Sequence, residues 1–397
     1  MLTPDTTDFS SHNAEAAAVW RAFEERRPIR VPVTVWTNVR VTMKHPVNRT
    51  GITWEEMFSD PAKMLRRQVE HQYWVRHFVP QDREMGMPER WHFDTDFQNV
   101  YEAAWFGCPV VYDGDLTPDT QPILTDENKV AFLSKPIPDP FEGPFLQRVW
   151  EFHERFQQWE SEGREFGGED WGFDARPIET GVPSGIGTDG PMTVACNIRG
   201  ATEFCIDLLE DPAYADDLLA YITEATIVRM RAYRKRLGLP EKTDGFGFAD
   251  DSIAMLSTET VLERLGPHYR RLIGELSNGG PGFMHLCGDA TRHFPMLHRE
   301  FNVYSFDTGF PVDFGWLRRE LGPDVQIQGG PPVPFLQEAT PAQVRERVRD
   351  ILQSGIMEGG LFILREGNNL PPGVPMENLW AMYEAGVEFG RYPAPAA

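Results

Sequence analysis

From about residue 245 onward, short apolar segments alternate with amphipathic ones, and this alternation constrains the fold more than any other feature of the sequence. The apolar segments have the length and composition of buried strands, and they cover residues 245–250, 282–287, 303–307, 325–328 and 361–364. The segments between them have helical character and cover residues 258–265, 269–277, 313–321 and 341–354. Strands and helices that alternate over this many units predict parallel strands with helices outside. Eight such units would close a barrel, and a doubly wound open sheet is the alternative.

The first half of the chain is less regular. Helices are predicted over residues 14–27, 60–78, 144–163 and 213–237, and a first strand over 29–36. Between residues 79 and 190, Pro, Gly, Asp and Trp are dense and periodicity is weak outside the helix at 144–163. We interpret residues 79–190 as long loop-rich excursions on the main scaffold rather than as a separate domain.

Charge and cysteine content exclude several classes of function. Lys and Arg number 38 against 60 Asp and Glu, which gives a formal net charge of −22. Nucleic-acid and anionic-membrane partners both require a basic surface, so neither is expected. The first 13 residues do not resemble a targeting signal, and no apolar run is long enough to span a membrane. Four cysteines are too few for a disulfide scaffold, so we expect a protein of the reducing cytoplasm.

Polar residues follow the predicted strands at their carboxyl ends, where parallel α/β folds build their active sites. They are Asp250 and Asp251, His285 and Cys287, Asp307 and Glu366. The sequence therefore places carboxylates, an imidazole and a thiol on one edge of the sheet.

His285 and Cys287 form the sharpest local signal. Residues two apart on a strand point to the same side, so the imidazole and the thiol are expected to project together. This pair suits a soft metal such as zinc, and it equally suits a thiolate nucleophile activated by histidine. The structural alternative is a buried cysteine beside a hydrogen-bonded histidine.

A catalytic zinc site needs a third protein ligand. The candidates for this ligand are Asp251, Asp307, Glu366 and Cys196. For Glu366 the favoured alternative is a salt bridge with Arg365 or another arginine.

Two pairs of neighbouring carboxylates are further candidates for acid–base chemistry. Asp250 and Asp251 are adjacent, so only one can face the site, and the other is expected to cap the following turn. Asp94 and Asp96 are two apart and could share a face, with solvated loop residues as the favoured alternative. Gly185 to Gly190 matches G-x-G-x-x-G formally, but Pro191 follows at once, no buried strand precedes it and no βαβ context is visible, so we reject a dinucleotide site.

Several motifs resemble the uroporphyrinogen decarboxylase superfamily. They are His285-Leu-Cys-Gly288, Phe306-Asp307, Gln328-Gly329-Gly330, Val374-Pro-Met-Glu-Asn378 and Gly190-Pro-Met-Thr193. The resemblance spans most of the chain. It implies a single (β/α)8 TIM barrel over residues 1–397, with a cleft at the strand carboxyl ends, and a homodimer.

This superfamily contains decarboxylases of a tetrapyrrole and zinc-dependent methyltransferases that act with corrinoid proteins. The arginine-rich signature of the decarboxylases is missing at residues 35–40. Their catalytic aspartate corresponds to Asp96, their tyrosine to Cys196 or Asn197, and a histidine to Asn368. The resemblance thus implies Asp307, Asn368, Cys196 and Asn197 as substrate-binding candidates.

The methyltransferase branch carries H-x-C, which His285 and Cys287 match, and a second cysteine, which falls at Asn368 and is missing. Our leading prediction is a methyltransferase-type enzyme with zinc held by His285, Cys287 and Glu366. Asp251 and Glu366 serve as a further ligand or proton carrier, and a corrinoid protein is the methyl donor. The alternatives are a metal-free decarboxylase that uses Asp96 or Asp251, and a non-catalytic protein that binds a corrinoid or tetrapyrrole.

Overall fold

The computed structural model describes residues 7–114 and 116–393. The chain forms two compact units. The first consists of Met1–Phe93, Trp159–Glu179 and Ser305–Ala397, and the second of Asp94–Gln158 and Thr180–Tyr304. Within the described part of the chain, no helix combines the length and the apolar character that a bilayer crossing requires.

Parallel strands organise the first unit. Phe362–Leu364 pairs with Gln326–Gly329, and that strand pairs on its other side with Val303–Thr308, whose last residues belong to this unit. A second, smaller sheet consists of Trp91–Phe93, Phe173–Thr180 and Glu165–Gly168, and its last two strands are antiparallel. This small sheet lies within the residues that we interpreted as loop-rich excursions.

Helices of the first unit include the predicted helix at 60–78, which begins at Pro61 and is capped by the side chain of Asp60. The α-helices are Ser10–Glu24, Trp54–Ser59, Pro61–Phe78, Phe314–Leu321, Val333–Glu338, Pro341–Ile351 and Met376–Phe389. Single turns of 3-10 or π-helix are Val39–Thr42, Leu352–Ile356 and Glu358–Gly360.

The predicted strand at 29–36 is extended but makes only isolated pairings. Val33 pairs with Leu364 in parallel, and Arg30 pairs with Arg391 in antiparallel fashion. The Thr34 amide donates to the Leu364 carbonyl at 2.9 Å. Pro32 has no amide hydrogen to donate, so a regular ladder is interrupted at that residue.

The second unit contains the parallel strands Gly247–Ala249 and Gly282–Leu286, with Ala249 opposite His285. A two-residue antiparallel pair joins Val110–Val111 to Asp119–Thr120. The α-helices are Tyr101–Trp105, Lys129–Phe132, Leu146–Ser161, Pro191–Arg199, Ala201–Glu210, Pro212–Arg236, Thr258–Thr260, Gly266–Leu276 and Phe294–Phe301. Short 3-10 or π turns are Gln98–Val100, Asp251–Met255, Val261–Leu265 and Thr291–His293.

The long helix Pro212–Arg236 buries the apolar residues whose helical spacing predicted it. Leu218, Leu219 and Ile222, which recur at helical spacing, are fully buried. The strands and helices predicted from residue 245 onward are all present within a few residues of the expected bounds. An α/β fold with parallel strands is therefore confirmed.

Candidate metal centre

The strand Gly282–Leu286 presents His285 and Cys287 on one side. Met284 and Leu286 are buried, whereas His285 and Cys287 are partly exposed. This alternation is the one that the two-residue spacing predicts. Gly288, with φ of 76°, then turns the chain away from the strand.

Asp251 joins this pair and completes a group of three donors. One ligand atom each of Asp251, His285 and Cys287 lies within 4.8 Å of the other two. The Cys287 amide donates to Asp251 Oδ1 at 2.7 Å, and His285 Nε2 lies 4.0 Å from the same oxygen. The side chains of His285 and Asp251 are 23% and 31% exposed, so the group is accessible from solvent.

The chemistry of this donor set fits zinc. Imidazole nitrogen, thiolate sulfur and carboxylate oxygen are the three kinds of ligand that zinc takes from proteins, and catalytic zinc sites use three of them with one position open. Asp251 was one of four candidates for the third ligand.

The charge around Cys287 disfavours a free thiolate. Burial and the negative charge of Asp251 both raise the pKa of the Cys287 thiol. Without a cation the sulfur therefore stays protonated at neutral pH, which disfavours an activated thiolate. A divalent cation would reverse this effect, because it stabilises a coordinated thiolate.

Asp250 is turned away from this group and is fully buried. Its carboxylate accepts hydrogen bonds from the Thr193 amide at 2.7 Å, the Thr193 hydroxyl at 2.8 Å and the Tyr269 hydroxyl at 2.7 Å. Burial raises its pKa to about 6, against the lowering effect of these bonds. Asp250 thus caps the start of the helix Pro191–Arg199. The prediction that Asp250 caps the turn that follows it is wrong, because its side chain instead accepts from the free amides at the start of this helix.

Thr193 links this cap to the metal-binding candidate. Its hydroxyl donates to Asp250 and accepts from the Ser252 amide at 3.1 Å, so it holds the residues on both sides of Asp251. Gly190 permits the contact, because a Cβ there would stand 2.3 Å from the Asp250 carboxylate. The sequence reasoning missed the roles of Thr193 and Tyr269, although the Gly190-Pro-Met-Thr193 motif was a visible signal.

The remaining candidates of the second unit have local partners. Cys196 is buried in the helix Pro191–Arg199, and burial raises its pKa to about 12. The carbonyl of Asn197, on the same helix, accepts from the Cys108 sulfur at 4.0 Å. Asp96 accepts from the amide and side chain of Gln98 at 3.1 and 2.6 Å. Their substrate-binding and catalytic roles stay predictions.

In the first unit, Asp307 and Glu366 surround a buried guanidinium. Arg365 donates to both oxygens of Asp307 at 2.9 Å and to Glu366 at 3.0 Å. The Trp36 amide also donates to Glu366, and burial raises the pKa of Glu366 to about 7. The expected salt bridge between Glu366 and Arg365 is confirmed, and a ligand role for Glu366 stays a prediction.

Asn368 follows this cluster with an unusual backbone. Its φ is 85°, and its carbonyl accepts from Arg365 at 3.3 Å. Its side-chain oxygen is buried, and no donor within residues 7–114 and 116–393 reaches it. A substrate-binding role for Asn368 also stays a prediction.

Fold and donor group together define an α/β protein with a metal-compatible group after the ends of neighbouring parallel strands. Residues 97–389 match the family model described as uroporphyrinogen decarboxylase (URO-D), which is more than half of the chain. The protein belongs to this family, as its motifs indicate. A search of curated proteins finds no match to the sequence.

Three solved structures are similar to this chain to different degrees. A methyltransferase from Methanosarcina mazei has a TM-score of 0.61 and 18% identity over 94% of this chain and 98% of that chain. A B12-independent methionine synthase from Shewanella sp. W3-18-1 has a TM-score of 0.36 and 15% identity over 54% of this chain and 63% of its own. A putative vitamin-B12 independent methionine synthase from Listeria monocytogenes has a TM-score of 0.40 and 14% identity, with coverage of 91% and 95%. The first similarity supports a shared fold.

Proposed function

We propose that this protein is a zinc-dependent enzyme of the methyltransferase type, with Asp251, His285 and Cys287 as the metal ligands. The observation that carries the proposal is the convergence of three different donor atoms within 4.8 Å of one another. The partial exposure of His285 and Asp251 leaves room for a substrate group at the fourth position. The proposal includes closure of the strands into a (β/α)8 barrel.

A zinc ion held by these residues supplies Lewis acidity, which lowers the pKa of a coordinated thiol and keeps it nucleophilic. The chain's own contribution is to hold the donors in place. The Cys287 amide fixes one Asp251 oxygen at 2.7 Å, and Thr193 holds both sequence neighbours of Asp251. The proposal also includes a small molecule as the methyl acceptor and a corrinoid protein as the methyl donor. Glu366 is included as a proton carrier.

Zinc content of the purified protein tests the proposal. We expect about one zinc per chain in the wild type, as for a single three-ligand site, and loss of most of it in His285→Ala and in Cys287→Ser. Cys205→Ser is the matched control, because Cys205 is a partly buried free thiol of the same unit outside the donor group. Equal zinc content in all four proteins would contradict the proposed ligands. No zinc in the wild type after zinc is supplied would contradict the proposal and favour the metal-free decarboxylase.

A further inference from the structure

The first unit contains a cavity of about 670 Å³ beside Trp36. Most of its lining residues are of polar or charged types. The lining includes Trp36, Asn38, His71, Arg76, Arg83 and Asn369. None of these residues belongs to the donor group of the candidate metal centre, which lies in the second unit.

Arg83 brings its guanidinium group to this cavity. Across the described ranges 7–114 and 116–393, no acceptor or acidic group forms a hydrogen bond or ion pair with its side chain. Arg83 Cζ lies 5.9 Å from the centre of the Trp36 ring, and Arg365 Cζ lies 4.6 Å from the same ring centre. A guanidinium presents five donors in a fixed planar fork, so an unused one is a strong anion-binding group.

Among the described residues, no neighbouring group forms an ion pair with Arg83 at the cavity wall. Arg76 is already occupied, since it donates to the Gly86 carbonyl at 2.6 Å and pairs with Glu84 at 3.1 Å. His71 stays neutral, because burial lowers its pKa to about 3. Glu366 attracts Arg83, but its oxygens are taken by Arg365 and the Trp36 amide.

Trp36 supplies a fixed apolar surface next to the guanidinium. Its side chain is 40% exposed, while its backbone amide is held by both oxygens of Glu366 at 3.0 and 3.2 Å. A large exposed aromatic ring is an efficient contact for a flat or apolar ligand body. The cavity thus combines a cationic fork with an aromatic face.

We propose that this cavity binds the oxyanion group of a small molecule, a carboxylate or a phosphate, through Arg83, with the remainder of the ligand against Trp36. Guanidinium groups bind both oxyanions in a bidentate manner, so the shared chemistry is that of a planar pair of acceptor oxygens. The net charge of −22 disfavours anion binding in general, so a local cationic group is needed for a specific site. The inference does not rest on the proposed metal chemistry.

Calorimetric titration with benzoate and with inorganic phosphate tests the proposal, and benzamide serves as the uncharged counterpart of benzoate. We expect at least one of the two anions to bind the wild type, and the pair identifies which oxyanion is preferred. Arg83→Gln should weaken that binding about tenfold or more, as for loss of a charge-assisted hydrogen bond. Arg83→Lys should retain part of the affinity, because it keeps the charge but loses the fork.

Arg27→Gln is the matched control, since it removes the same charge from an exposed position. Binding is placed at the cavity by the indole signal of Trp36 in NMR spectra, assigned with Trp36→Phe, which should shift on addition of the anion. Absence of binding by both anions, equal affinity in Arg83→Gln and the wild type, or equal affinity for benzamide would overturn the proposal.

Discussion

The two units each carry a cluster of ionisable side chains after their parallel strands, and the clusters differ in how their charge is balanced. In the first unit, the Arg365 guanidinium donates to both Asp307 and Glu366. In the second, Asp251 stands beside an imidazole and a thiol, and no Lys or Arg among residues 7–114 and 116–393 pairs with it. The first cluster is buried and contains a guanidinium, while the second is partly exposed and, in the described residues, contains none.

This difference determines what each cluster requires for its negative charge to be stable. Buried carboxylates persist when a hydrogen-bonded cation accompanies them. In the second cluster, Asp251 raises the pKa of the neighbouring Cys287 thiol, and no guanidinium accompanies it in the described residues. A bound metal ion would supply the missing positive charge. We therefore expect the two clusters to respond differently to substitution, metal and pH.

Removal of the guanidinium in the first unit should have the largest effect. Arg365→Met leaves two buried carboxylates without their cation, and we expect the free energy of unfolding to fall by about 3–5 kcal/mol. Urea denaturation measures this change. The control is Arg349→Met, whose exposed ion pairs should contribute less than about 1 kcal/mol. A loss as small as that of the control would show that the first cluster is not held by Arg365.

Addition of metal should act only on the second unit's cluster. Zinc at about 100 times its dissociation constant should raise the free energy of unfolding by about 2.7 kcal/mol, because it binds the folded state alone. Thermal unfolding with zinc or with a chelator measures the difference. Cys287→Ser should abolish it and Cys205→Ser should preserve it. Retention of the zinc effect in Cys287→Ser would remove that thiol from the ligand set.

A methyl group at residue 190 should disturb the support of Asp251. Gly190→Ala places a Cβ 2.3 Å from the Asp250 carboxylate, and overpacking of this kind costs about 1–3 kcal/mol. Gly187→Ala is the control, because a Cβ there meets nothing within 4 Å. Chemical denaturation compares the two variants, and zinc titration shows whether Gly190→Ala also weakens metal binding. Equal stability of the two variants would contradict the close contact.

The pH dependence should give the smallest effect and should distinguish the units. The folded pKa of Glu366 is about 7 and that of Asp250 about 6, both above their ordinary values of 4.5 and 3.8. A raised acid pKa stabilises the folded state at low pH, and this contribution is lost as pH rises to the folded value. The windows are therefore pH 4.5–7 for Glu366 and 3.8–6 for Asp250.

Between pH 6 and 7 the titration of Glu366 should lower the stability of the wild type by about 1 kcal/mol relative to Glu366→Gln. Buried histidines such as His71, whose pKa is about 3, change the stability of both proteins equally, so the decrease is measured as this difference. Urea denaturation at both pH values should show that Glu366→Gln lacks this decrease and that Asp250→Asn retains it. An identical decrease in Glu366→Gln would assign the titration to another group.

Local patterns predicted much of this molecule, and contacts between distant segments account for what they missed. Strand periodicity placed His285 and Cys287 on one side, and helical periodicity gave the buried residues of Pro212–Arg236. The choice of Asp251 over Asp250 depends on a helix end nearly 60 residues earlier, which no local pattern contains. Likewise, whether residues 29–36 form a regular strand depends on the distant residues that pair with them and on Pro32, which has no amide hydrogen to donate.

The contact between Gly190 and Asp250 has a consequence for how the sequence can change. A larger residue at 190 becomes tolerable only after the side chain at 250 has shortened, and a shortened side chain at 250 leaves the helix start at 191 without its acceptor. The order of substitutions therefore matters, and the pair costs less than the sum of the two single substitutions. These two positions form an epistatic unit that restrains mutational drift next to the donor group.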